Sequence, residues 1–128
     1  MTILSLLLVF KITVSIAVLI IPFLFFSKEK LAAITKTTAD TSQLYRLYGI
    51  AILALLVAYG FGIAPAQAGI FPWGVVAMGI VSNVGAALCM LVFGVNKQNI
   101  FGIVLFGTIG LGLIAAAIMP GVALVKIW

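Results

Sequence analysis

The first side chain in this sequence with chemistry to offer is a lysine inside an apolar run. Lys11 follows Leu6-Leu7-Leu8-Val9-Phe10 and precedes a second apolar stretch. In a helix starting near residue 3 it lies about 12 Å from the end. An isolated charge at that depth in a bilayer is costly and is a functional candidate by default. Helical side chains lean toward the N-terminus, and a lysine can extend its ammonium to the nearer interface. The expectation for Lys11 is therefore snorkelling to a lipid phosphate, followed by contact with a partner subunit, and lastly a substrate or proton role. The acidic residues, Glu29 and Asp40, both lie outside the apolar runs. An ion-pair partner for Lys11 would have to come from another chain.

Arg46 is the second candidate. It sits between Tyr45 and Tyr48 at the start of an apolar run, where an arginine anchors a helix to lipid phosphate. With Tyr48 or Tyr59 it could also hold an anionic headgroup or a quinone-like ligand. Asn83, next to Ser82, falls in the middle of another apolar run. A buried amide needs a partner in lipid, so an interhelical hydrogen bond is expected, with Thr108, Ser15 or Thr13 as partners. Trp73 and Trp128 are candidates for interfacial contact with lipid or a partner protein.

Other chemistry has no raw material. The chain has no His and a single Cys, Cys89, so neither a haem or zinc ligand set nor a Ser-His-Asp or Cys-His constellation can be assembled within it. Cys89 lies in an apolar run and reads as a buried, inert thiol. No glycine-rich loop follows a strand, and no cofactor is expected. The expectation is a non-catalytic protein.

The elements that must position these residues are membrane spans. Of 128 residues, 66% are hydrophobic and 7% charged, and the mean hydropathy is +1.43. A globular domain in water carries about 25% charged residues, so this chain is read as one transmembrane domain over residues 1–128. Four stretches reach the roughly 20 residues needed to cross a bilayer: 3–26, 44–63, 72–93 and 100–119. They do not alternate apolar and polar residues as barrel strands do. The fold expected is an all-α four-helix bundle. The first span is too long for a signal-peptide core, has no basic region before it and is followed by Lys28 and Lys30, so it is read as an uncleaved helix.

The connections differ in kind. Residues 27–43 form the one long polar segment, with a short interfacial helix expected at 28–34 and a Thr- and Ser-rich turn at 35–42. Asp40 and Gln43 have capping-box spacing for the second helix. Residues 64–70, with Pro65 and Gly69, form an uncharged connection. A tight polar turn at 95–99 makes the last two spans an antiparallel hairpin.

With four spans, Lys28, Lys30, Lys36, Arg46 and Lys97 share one side, while the other has Lys126. The net charge of +5 is spread over these loops, which argues for anionic lipid and against nucleic acid. The positive-inside rule makes the basic side cytoplasmic and both termini external, in a bacterial inner membrane. Trp73 and Trp128 then lie at the outer interface, and Tyr45 and Tyr48 at the inner one. Small residues recur every four positions in Ala54, Ala58 and Gly62 and in Thr108, Gly112 and Ala116, and Gly79, Asn83 and Ala86 or Ala87 make a similar stripe. Such stripes let helices approach closely in lipid, leaving Phe101, Phe106, Leu111 and Ile118 to face outward.

In the step from Pro22 through the basic loop to Tyr45-Arg46-Leu47-Tyr48-Gly49, the chain resembles small bacterial four-helix proteins of the DoxX-like group. The shared pattern is a first helix ending near a proline, a polar connection, an Arg-x-x-Gly second helix and a closing hairpin. The resemblance implies the architecture and transfers no catalytic residue. In size the chain is also similar to small multidrug transporters, but it has Lys11 in the first helix where they carry a glutamate. The function expected is an accessory or scaffolding subunit of a larger membrane complex. Binding of a lipid, quinone or pigment between the helices is the alternative, and a small transporter is the third reading. Membrane lipids and other membrane subunits are the expected partners.

Overall fold

The structure, a computed structural model, describes residues 1–35, 41–93 and 100–128. Four membrane-length helices form an all-α bundle: α1 (Ile3–Phe25), α3 (Ser42–Gln67), α4 (Trp73–Phe93) and α5 (Ile100–Ile118). Two short helices complete it, α2 (Lys28–Thr35) and α6 (Pro120–Ala123). At 1.5 Å per residue even the 19 residues of α5 cover about 28 Å. The chain is a multi-pass membrane protein of the small polytopic helical class. Expectations for Lys36, Asp40 and Lys97, the capping box of Asp40 with Gln43, and the turn at 95–99 lie outside the described residues.

α1 begins with a capping box. Thr2 Oγ1 accepts from the Ser5 backbone N–H at 3.1 Å, and Ser5 Oγ accepts from the Thr2 N–H at 2.9 Å. Both residues are fully buried, so these bonds satisfy donors that water cannot reach. Further along, Ile16–Ile20 form a π-helical turn, where the Ile21 N–H bonds back to the Ile16 carbonyl. Pro22 is the physical cause: it has no N–H, and its ring clashes with the carbonyl four residues earlier. Widening the turn keeps the helix continuous past the proline.

The second span is longer than its sequence suggests. α3 runs through Pro65 to Gln67, because a proline in the last turn removes one hydrogen bond without breaking the helix. The stop comes from Gly69, at φ +80°. Its N–H bonds to Ala66 O at 3.2 Å, and the Ile70 N–H bonds to Pro65 O at 2.9 Å. This pair of bonds is a Schellman cap, and the left-handed residue it needs is glycine. α2 matches its expected position, with Leu31 fully buried. α5 ends at Ile118, and Pro120 opens the short α6. The tail then meets the start of α1: the Ile3 N–H bonds to Val125 O at 3.2 Å and the Ile127 N–H to Met1 O at 2.9 Å.

In lipid, helices associate by close packing and not by exclusion of water. Glycines supply the closeness. A Cβ on Gly79 would lie 2.6 Å from Leu113 Cδ1, and one on Gly110 would lie 2.9 Å from Val84 Cγ2, so α4 and α5 pack as an antiparallel hairpin. Gly49 meets Phe23 and Leu24, and Gly62 meets Leu8, which joins α3 to α1. The stripe on α4 is buried as expected, through Gly79, Asn83 and Ala87, with Ala86 half-buried. The stripe on α3 is not. Its buried face is Tyr45, Gly49, Ile52, Leu56, Tyr59, Gly62 and Ala66, so Ala54 is exposed and Ala58 only half-buried. On α5, Thr108 is exposed and Phe106 is buried, the reverse of the expectation, whereas Phe101, Leu111 and Ile118 do face outward.

Candidate functional site

The buried face of α1 is formed by Leu4, Leu8, Lys11, Ser15 and Leu19. Their spacing of three and four residues keeps them on one side of a helix. Lys11 therefore occupies a position in the packing seam and is only 5% exposed. Its ammonium does not turn back to the interface; it lies over the Phe106 ring, 4.7 Å from the centroid. A cation in this position is attracted by the electron-rich ring face, by about 2 kcal/mol or more when desolvated. The ring reaches it because Phe106 points into the bundle. Among the described residues no carboxylate pairs with Lys11. Glu29, the acidic residue among them, is exposed on α2, and hydrogen bonds from its own backbone and from Ser27 hold its carboxyl below the usual range.

A second polar group lies between α3 and α4. Asn83 Nδ2 donates to Tyr59 Oη at 2.8 Å and to Gly79 O at 2.7 Å. Ser82 Oγ lies 3.3 Å from Tyr59 Oη and donates to Gly79 O at 3.2 Å. The interhelical bond expected of Asn83 exists, but its partner is Tyr59, not Thr108, Ser15 or Thr13. Thr108 faces away, and Thr13 donates to Val9 O within its own helix. Gly79 makes the Tyr59 contact possible, since a Cβ there would lie 2.8 Å from the phenol oxygen. Among the described residues, two buried acceptor-capable atoms have no partner, Asn83 Oδ1 and Ser15 Oγ.

These groups meet at a cavity of about 400 Å³. α3 and α4 touch where Gly62 faces Val75 and where Tyr59 faces Gly79. Beyond that, toward Tyr48 and Cys89, the cavity separates them. Lys11 and Phe106 form its floor, with Tyr59, Ser82 and Asn83 beside them. Its rim includes Ala51, Val81, Gly85 and Cys89, all exposed on the outer surface of the bundle. The cavity is thus a lateral groove opening toward the bilayer, at the level of Asn83 in the middle of α4. Cys89, expected to be buried, is exposed at this rim.

The remaining sequence candidates fall elsewhere. Arg46 is not among the lining residues. Its guanidinium donates to Phe23 O and Phe26 O, both at 2.7 Å. It therefore closes the C-terminal end of α1, where carbonyls lack helical partners and a positive charge is favoured. Tyr48 packs edge-on against Phe23 and lines the groove. Trp73 (58% exposed) packs tilted against Phe71, and Trp128 is 77% exposed at the same end of the bundle.

The arrangement can hold an anion or a hydrogen-bond acceptor inside the hydrocarbon layer. Phe106 is the member that sequence reasoning missed, and Tyr59, a candidate beside Arg46, is instead the partner of Asn83. For Phe106 the available signal was its place, with Gly102, Ile109, Leu113 and Ala116, on one helical face. Comparison with known proteins returned no matching family model, no matching curated protein and no matching solved structure.

Proposed function

We propose that this chain is a non-catalytic membrane protein that holds an amphiphilic molecule in the groove between α3 and α4, polar end inward. The supporting observation is the buried Lys11 ammonium at the floor of a lipid-facing cavity. A groove serving only to separate two helices would be floored with apolar side chains, since a charge there is costly. The cavity volume suits a small molecule or one lipid chain. The bundle is read as sitting in a bacterial inner membrane with the Lys28, Lys30 and Arg46 end cytoplasmic.

Organic extraction of protein purified in mild detergent, followed by mass spectrometry, tests this. One small molecule per chain is expected, and its loss is expected in Gly85→Phe. Gly85 lines the groove with open space around it, so the added ring fills the groove without displacing protein. Absence of any stoichiometric molecule would overturn the proposal.

A second reading, an accessory subunit of a larger membrane complex, is supported by Ala54 and Ala58. Ala54 is exposed and Ala58 half-buried, so both present small side chains outside the buried seam of α3. Gentle extraction followed by native mass measurement separates the two readings, because a lone monomer would count strongly against a subunit.

A further inference from the structure

We infer that the groove selects a single-chain amphiphile with a carboxylate head, of the long-chain fatty acid class, bound head inward against Lys11. The inference rests on the groove being a ligand site, as proposed above, and it specifies the ligand.

Charge is the first argument. Lys11 is 95% buried and, among the described residues, meets no carboxylate and no hydrogen-bond acceptor. The Phe106 ring attracts the ammonium but leaves its charge uncompensated. A buried cation is stable only when paired. A neutral head, such as an alcohol or an ester, would leave the site with the same unpaired charge. An anionic head removes it, and the low dielectric that makes the lone lysine costly makes the pair strong.

Depth is the second argument. The polar floor lies level with Asn83, the midpoint of the 21-residue α4. The phosphate of a two-chain lipid sits at the interface. A carboxylate is a compact head that can be drawn below that level, with two oxygens for the ammonium. Shape is the third argument. Ala51, Gly85 and Ala86 give the walls small side chains next to Leu55 and Val81. They leave an apolar slot for one chain, which continues outward into the bilayer through the exposed rim.

Equilibrium binding of radiolabelled palmitate to the purified full chain in mild detergent provides the test, with hexadecanol and a phosphatidylglycerol as competitors. Palmitate is expected to bind about thirtyfold more tightly than hexadecanol competes, the scale of a buried charge pair. Lys11→Met should abolish that difference and Lys11→Arg should retain it. Thermal unfolding of both variants in the same detergent checks that they are folded. Equal competition by hexadecanol would overturn carboxylate selection while leaving the groove a binding site. Stronger competition by phosphatidylglycerol would assign the site to phospholipid and overturn it likewise. If palmitate bound neither wild type nor Gly85→Phe, this inference would fall and the groove reading would rest on the extraction test; if it bound both equally, the groove reading itself would fall, and this inference with it.

Discussion

Replacing Gly79 by alanine tests the join between packing and the polar site. One methyl group would lie 2.6 Å from Leu113 Cδ1, 2.8 Å from Tyr59 Oη and 3.0 Å from Tyr59 Cε1. All three distances are below contact, so Leu113 and Tyr59 must both move. Overpacking of this kind costs about 1–3 kcal/mol. Moving the phenol also weakens its bond with Asn83 Nδ2, worth about 0.6–2 kcal/mol between membrane helices. Together the loss is about 2–5 kcal/mol. Gly85→Ala is the control on the same helix, since its Cβ meets nothing within 4 Å. It should be neutral, or stabilising by up to about 1 kcal/mol from helix propensity. Equilibrium unfolding in mixed micelles, followed by circular dichroism, reads both. Tyr59→Phe supplies the coupling: it deletes the oxygen 2.8 Å from the new methyl, so Gly79→Ala should cost about 1 kcal/mol less in that background. Equal stabilities for Gly79→Ala and Gly85→Ala would refute the close approach of Tyr59 to α4. Strict additivity with Tyr59→Phe would refute the assignment of strain to the phenol.

Three further outcomes are expected. Lys11→Met should leave stability unchanged or raise it by about 1–4 kcal/mol in thermal unfolding, because it removes an unpaired buried charge at similar volume; a large loss would mean that the ammonium has a structural partner. Arg46→Met should destabilise by about 1.5–3 kcal/mol by freeing the Phe23 and Phe26 carbonyls, and Arg46→Lys should recover only part of this, since an ammonium lacks the two-pronged geometry. Asn83→Leu should cost about 1–2 kcal/mol and speed amide exchange in α3 around Tyr59, because the bond between these helices is lost; unchanged exchange would argue against that bond.

The spans were legible in the sequence because 20 consecutive apolar residues have few alternatives, and α2 was legible from the polar segment around it. Direction and partner were less legible. Lys11 was assigned to the interface from the behaviour of lone lysines. Its spacing from Leu4, Leu8 and Ser15 already placed it on the buried face, but a uniformly apolar helix gives no polar side against which to recognise that face. Phe106 went the same way, as size alone suggested the outside. Pro65 read as a break, although the cap depends on Gly69 four residues later. The pairing of Asn83 with Tyr59 depends on how two helices cross, and spacing within either helix carries no record of it. Arg46 was read as a lipid anchor because the carbonyls it binds belong to a helix end about twenty residues earlier.

The contact of Lys11 with Phe106 also bears on how the protein is made. The lysine is on α1 and the ring that shelters it is on α5, which leaves the ribosome later. Insertion of a helix with a central lysine carries a penalty of about 3 kcal/mol. Ile3–Phe25 is the most hydrophobic of the four spans, which offsets that penalty and lets α1 enter the bilayer alone. Until α5 arrives, the ammonium has no ring to rest on, and the nascent chain displays a charge within the membrane. Completion of the bundle is thus reported at one residue. A chain ended after α4 should keep Lys11 uncovered and be cleared by membrane proteolysis faster than the full chain, with Lys11→Met restoring much of its lifetime.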